Sequence, residues 1–284
     1  MKLANEYSIT VIRSDGFYFN YNSDTIKVLA VEGADFPEIE VSKEAKGFGH
    51  GDIITGIRKK SRELSITATL KNLKTYTQDR QKIIGFHNSN YRYDVEITYL
   101  GITRIAKDCV LSEAHYPTAR KYDNPTLSLM FTSPEADLFA DSTDKTSFVT
   151  SSPLWHVTRH YAAGEKLAFG EIVKTTQKVI NYLGSEPAPV TIEIEATGLV
   201  NEIDFKINNA KTKIATVLNN ADTLIIDTGA RTVRKNGTEV PLSEYNPRDL
   251  ANMVLNYGDN IVEVKSDSTA YTATVNYVGR YGGI

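Results

Sequence analysis

The sequence is sparing with the residues that covalent, redox and membrane chemistry require. Among its 284 residues there is one cysteine, Cys109, so no intrachain disulfide can form. It stands in the apolar run Cys109-Val110-Leu111, the setting of a buried and inert thiol. No uninterrupted apolar run approaches the ~18 residues that a membrane-spanning helix needs. Met1-Lys2-Leu3-Ala4-Asn5-Glu6 lacks the apolar core of a signal peptide. These absences predict a soluble chain made in the cytoplasm, with no signal peptide and no membrane insertion. A basic excess is also missing: the net charge is −3, which gives no reason to expect specific nucleic-acid binding. No serine lies in a Gly-x-Ser-x-Gly elbow.

What is present begins with Leu64 to Phe86. Leu64, Ser65, Ile66, Thr67, Ala68, Thr69 and Leu70 alternate apolar and polar, the mark of a half-buried strand. After the polar turn Lys71–Lys74 the period changes. Tyr76, Arg80, Ile83, Ile84 and His87 fall three and four apart, as on one helix face. Thr75 and Gln78 have capping-box spacing, and Gly85 with Asn88-Ser89-Asn90 ends the helix. Asp94 to Leu100 reads as the next strand. Sixteen Tyr against one Trp, with many Thr and Val, lean the whole chain towards β structure.

Upstream, Ser8 to Ile12 and Ile26 to Val31 read as strands. Between them Phe17, Tyr18, Phe19 and Tyr21 must point to both faces, so one set can enter the core while the other forms a self-association surface. Lys46-Gly47-Phe48-Gly49-His50-Gly51-Asp52 is dense in glycine. It leads into a strand and not a helix, so it reads as a tight or mobile connection and not a phosphate cradle. Arg58-Lys59-Lys60-Ser61-Arg62 has no interleaved aromatics and reads as a solvated loop or a charge-guarded strand edge. Downstream, Ile102 to Ala106 and Cys109 to Ala114 read as two strands, and Leu127 to Phe131 as the last strand of this half. Pro117, Lys121 and Asn124-Pro125 mark the connection between the last two.

At this length two domains are the expectation. Turn-rich stretches, among them Asp141-Ser142-Thr143-Asp144-Lys145-Thr146, place the boundary between Pro134 and Pro153 and divide the chain into 1–140 and 141–284. The second half reads as short strands: Ile172 to Val179, Val190 to Ala196, Ile203 to Ile207, Lys213 to Leu218, Thr223 to Asp227, Arg231 to Lys235, Ile261 to Lys265 and Tyr271 to Tyr277. Val262/Val264 and Tyr271/Ala273/Val275/Tyr277 form inward rows. Asn236-Gly237 is a two-residue hairpin turn, which explains the Asn236-Gly237-Thr238 triplet better than glycosylation does. Ser243 to Leu255 breaks the rhythm, with one helical turn after Pro247. The pattern predicts a β-sandwich.

No constellation of reactive side chains stands out. His156 and His160 lie four apart without a third ligand, and His115 is a lone loop histidine. Asp222, Asp227, Glu193 and Glu195 could pair across strands, although Glu193 and Glu195 lie on the polar face of one strand. The expected catalytic, cofactor and metal sites are therefore none, and the chain is not expected to be an enzyme.

Several stretches, taken in order, resemble the siphophage distal tail proteins, the hub family of phage tail baseplates. In the first half these are Gly47 to Leu70, the following helix, and Leu127-Ser128-Leu129-Met130-Phe131 running into Ser133-Pro134-Glu135-Ala136. In the second half they are Val179 to Gly184 followed by Pro189 to Ile194, the hairpin from Leu224 to Gly237, and Leu255 to Val264. The resemblance implies a mainly β chain: an N-terminal β-barrel-like belt domain with one α-helix, and a C-terminal galectin-like β-sandwich. It implies a structural virion protein at the tail tip, a homohexameric ring joining tail tube and tape-measure protein to tail-associated or receptor-binding baseplate proteins. DNA would pass through the lumen without being gripped. In this family the final strand can return to the first domain, which makes 271–281 the segment to complete it. Two other readings compete with the ring. One is a carbohydrate-binding module using exposed tyrosines of the second half, and the other is a sandwich hydrolase with paired carboxylates.

Overall fold

The computed structural model describes residues 7–72, 74–116, 126–153 and 170–284. The described chain is mainly β and separates into two compact units. One comprises 1–141 with 280–284, and the other 142–279.

The first unit is built from β1 (Tyr7–Arg13), β2 (Tyr18–Asn20), β3 (Ile26–Glu32), β4 (Ile39–Ala45), β5 (Asp52–Lys59), β6 (Arg62–Leu70), α1 (Tyr76–Phe86), β7 (Tyr93–Tyr99), β8 (Ile102–His115), β9 (Thr126–Ser133) and the start of β10 (Leu138–Ser147). Pairing runs β2-β1-β7-β8-β9-β6-β3, every pair antiparallel. Among the described residues no pairing joins β2 to β3, so the barrel-like sheet stays open, folded over its own core. The fold line lies in β8. Its first half pairs with β7 and its second half with β9, with register shifts at Tyr93/Val95 and Leu111/Glu113. The sequence suggested two strands here. Asp108, at φ 54° and with its N–H donated to the Asp94 carboxylate, absorbs the polar Lys107-Asp108 pair as a bulge and lets one strand continue.

β6 behaves as its alternation predicts: Leu64, Ile66, Ala68 and Leu70 are buried, with polar residues between them. Helix α1 lies where its period placed it, but the capping box does not form. Thr75 is the N-cap residue without a side-chain cap bond, and its hydroxyl donates instead to Asp79 at 2.5 Å. Ile83 is the helix residue that enters the core, and His87 follows it. His87 Nδ1 donates to the Ile83 carbonyl (2.7 Å), and the Tyr21 hydroxyl donates to Nε2 (2.6 Å). Burial among Phe19, Phe86, Tyr93 and Phe131 pushes the His87 pKa down to about 4. Gly33 turns the chain after β3 at φ +81°, where a Cβ would stand 1.8 Å from the Glu63 carbonyl oxygen.

The second unit continues through β11 (Val149–Pro153), β12 (Gly170–Lys174), β13 (Gln177–Tyr182), β14 (Ala188–Ala196), β15 (Ile203–Ile207), β16 (Ala210–Ile214), β17 (Thr223–Asp227), β18 (Thr232–Lys235), β19 (Thr238–Glu239), α2 (Pro247–Leu250), β20 (Val254–Leu255), β21 (Gly258–Ser266) and all but the last two residues of β22 (Tyr271–Tyr281). It is a sandwich. One sheet runs β19-β18-β17-β14-β22 and the other β13-β21-β15-β16. Their inner faces bury Ile192, Ile194, Leu224, Ile226 and Val275 against Ile180, Phe205, Val262 and Val264. Asn236 (φ 48°) and Gly237 (φ 81°) form the expected tight turn. Three expectations shift. Ile172 to Val179 is two strands, parted where the Thr175 N–H turns to the Phe148 carbonyl (3.0 Å). Lys213 to Leu218 begins earlier, as β16, and Leu218 instead forms an isolated bridge to Val200. Asp141 to Thr146, read as linker, is the exposed middle of β10.

Candidate interaction surface

The hairpin β4–β5 forms a two-stranded sheet of its own. Every residue of β4 is exposed, and so is nearly all of β5. Val41 pairs with Ile57 and Ile39 with Lys59, so these share one face. Beyond Ser42↔Gly56 the register shifts, and Lys43 pairs with Ile54. The bulge at Thr55 therefore brings Ile54 onto the face of Val41 and Ile57, where strict alternation would have put it on the opposite side. The result is an apolar stripe of Ile39, Val41, Ile57 and Ile54, ended by Lys43 and Lys59. The other face carries Glu40 opposite Arg58 and Glu44 opposite Ile53. Ile57 is 70% exposed, and Phe48, at the tip among Gly47, Gly49 and Gly51, is 99% exposed. The glycine-rich loop is thus the tight turn of this arm. Its Gly49 and Gly51 adopt φ +96° and +93°.

A second patch lies by the β1–β2 turn. Tyr21 is fully buried and Phe19 packs on the core, while Phe17 and Tyr18 stay exposed, the latter by 72%. Arg13 organises this patch. Its guanidinium forks onto Asp15, donates to the Phe86 carbonyl (3.0 Å) and lies 4.3 Å from the Tyr91 ring centre.

The basic run splits into separate structural roles. Lys59 reaches Asp137 (3.0 Å) and Lys60 reaches Glu38 (2.7 Å). Arg62 is not solvated at all: it is 2% exposed and donates to four main-chain carbonyls. Burial lowers its pKa, opposed by the nearby charges of Asp137 and Asp35, and the side chain remains a cation. Sequence reasoning missed this role because carbonyl partners leave no residue signature.

The remaining candidates do not converge. Glu193 and Glu195 point outward from β14, opposite Ile225 and Thr274, and Thr223 and Thr272. Asp222 is drawn down to about 2 by the Asn219 N–H, the Asn236 amide and Lys235, a turn-stabilising set. Asp227 Oδ1 accepts from the Ala230 N–H. His115 pairs with Glu113 (2.7 Å) on the surface. Cys109 is buried, which pushes its thiol up to about 12, too high for a nucleophile at neutral pH. His156, His160, Pro117, Lys121 and Asn124-Pro125 lie outside the described residues. Among the described residues no group of three or more His, Cys, Asp or Glu could hold a metal ion, and no helix is long and apolar enough to cross a membrane.

Residues 183–281 match the family model described as siphovirus-type tail component, C-terminal domain. Over the whole chain the fold matches the crystal structure of the SPP1 Dit (gp 19.1) protein, described as a paradigm of the hub adsorption apparatus in phages infecting Gram-positive hosts. The TM-score is 0.62 at 14% identity, covering 96% of this chain and 98% of that one. A chain of the phage P2 baseplate in its activated conformation with Ca aligns at TM-score 0.46 and 8% identity, over 98% of this chain and 99% of that one. No curated protein matches the sequence. The similarity to that family model is thus confined to 183–281, and the fold of the chain as a whole is similar to that of the SPP1 hub protein.

Proposed function

We propose that this chain is a siphophage distal tail protein, a structural virion component that serves as the hub of the tail tip. The observation that carries the reading is the joint one of a tail-component domain at 183–281 and a hub-protein fold spanning nearly the full chain. The mechanism is geometric. Copies associate head to tail, and a rotation that closes yields a ring, here of six. The arm β4–β5 supplies the kind of surface such a ring requires, an amphipathic ribbon whose apolar stripe is bare in the single chain. A stable contact of this kind buries roughly 1,200–2,000 Å² in total. The tail tube and tape-measure protein are the partners on one side of the ring and the adhesion proteins of the baseplate those on the other. The division into domains 1–140 and 141–284, completed by 271–281, follows the same reading.

The role is non-catalytic. The carbohydrate-binding alternative is not favoured. It needed a platform of exposed tyrosines, yet among the described residues of the second unit Tyr182 and Tyr245 are buried, Tyr271 and Tyr277 pack on the core, and Tyr257 alone stands out. Native mass measurement with negative-stain imaging of the purified protein tests the proposal, with a six-copy ring as the expected species. A protein that stays monomeric at high concentration, both alone and mixed with tail-tube protein, overturns it.

A further inference from the structure

Both ends of the β4–β5 arm are fixed at one place. On the outgoing side is the loop 33–38, and on the returning side are Lys60 and Arg62. The Lys60 N–H donates to the Glu38 carbonyl (2.9 Å) and its ammonium meets the Glu38 carboxylate, which closes the neck of the arm. Arg62 then ties three separate pieces of backbone together. Nη1 donates to the carbonyls of Gly33 (2.6 Å) and Asp35 (2.7 Å), Nε to Ala136 (2.8 Å) and Nη2 to Gly282 (2.6 Å). The segment 280–284 lies against the same loop. The Ile284 N–H donates to the Ala34 carbonyl (3.1 Å), and Gly283 comes so near that a Cβ there would stand 3.0 Å from the Asp35 carbonyl carbon. The Tyr281 ring lies 3.5 Å from the Arg104 guanidinium.

A two-stranded ribbon without a core does not hold its own direction. The direction must come from the neck, and here the neck is held by a rigid planar fork bonded to main-chain atoms. Such bonds fix the path of the backbone itself. We propose that Arg62 and the segment 280–284 form a latch that aims the Ile39–Lys59 arm, so that Arg62 is a positioning residue for assembly. The hub reading enters only in the consequence, since an arm offered to a neighbouring copy must point to where that copy stands.

Hydrogen–deuterium exchange on the full chain tests the latch without any partner. The samples are wild type, Arg62→Met, Arg62→Lys and a chain lacking 282–284. Peptides over 33–45 and 52–61 should exchange at least tenfold faster in Arg62→Met and in the shortened chain, and by less in Arg62→Lys. Peptides over 64–70 and 190–196 should keep their protection. Unchanged exchange of the arm in the shortened chain overturns the proposal. So does loss of protection over 64–70 in both the shortened chain and Arg62→Lys, which would make the fork a support of the core. Native mass on the same samples reads the consequence separately: a loosened arm that still assembles like wild type overturns the link to assembly. A wild-type chain that never assembles overturns the hub reading and leaves the exchange result to judge the latch.

Discussion

Strand β6 and the arm β4–β5 are neighbours in sequence, and both mix apolar with polar residues at strand spacing. In β6 the apolar set is covered: Leu64 and Ile66 are fully buried, between β3 on one side and β9 on the other. In the arm the equivalent set, Ile54 and Ile57, lies bare. Periodicity therefore specifies a face but not what covers it. A face covered within the chain contributes to folding, whereas a face left open contributes only when a second molecule arrives.

The contrast can be broken most severely on the covered side. Phe131, opposite Leu64 in the β6–β9 ladder and fully buried, should cost about 3–5 kcal/mol of unfolding free energy on substitution by alanine, read from urea denaturation. The cover itself is sensitive to acid. His87 is held neutral in the fold, with its pKa lowered to about 4. The unfolded chain therefore binds the extra proton between about pH 6.5 and 4, and the folded chain does not. This contribution is complete above about pH 6.5 and is lost as pH falls through 4, a loss of up to about 3 kcal/mol. His87→Gln should flatten that part of the stability profile. The Asn236-Gly237 turn, which joins a strand burying Val233 to an exposed one, offers an intermediate case. Gly237→Ala, at φ 81°, should cost about 1 kcal/mol in the second unit. The arm should give the smallest effect on folding: Ile54→Ser combined with Ile57→Ser should leave the midpoint of unfolding within about 0.5 kcal/mol of wild type. The same double variant should lower the assembled fraction in native mass spectra. A large loss of stability would show that the arm is covered after all.

The legible parts of the fold were those in which burial and period agree: β6, α1, β14, the inward rows of β21 and β22, and the Asn236-Gly237 turn. Strands exposed on both faces were illegible. The middle of β10 looks like linker, and Ile39–Ala45 was assigned to no element, because composition reports burial, while backbone pairing depends on neither face being apolar. The interaction surface was legible in part. Phe17, Tyr18, Phe19 and Tyr21 were expected to divide between core and surface, without a sign of which goes where, and the arm's stripe depends on the Thr55 bulge, which no local signal announces. Arg62 was read as solvent-facing because it sits in a basic run, and only the tertiary path of three distant segments turns it inward.

The discontinuity of the first unit sets an order on its maturation. Residues 280–284 leave the ribosome only after 142–279 have been made, an interval on the order of ten seconds at usual rates of synthesis. Until then the carbonyl of Gly282 is missing from the fork of Arg62, and the loop after Gly33 lacks its backbone neighbour. The sandwich, although it comes later in the chain, can therefore be finished first. An arm aimed by that latch gains its direction only once 280–284 have been made, which keeps its bare apolar stripe from being presented in working posture by chains that have not reached them.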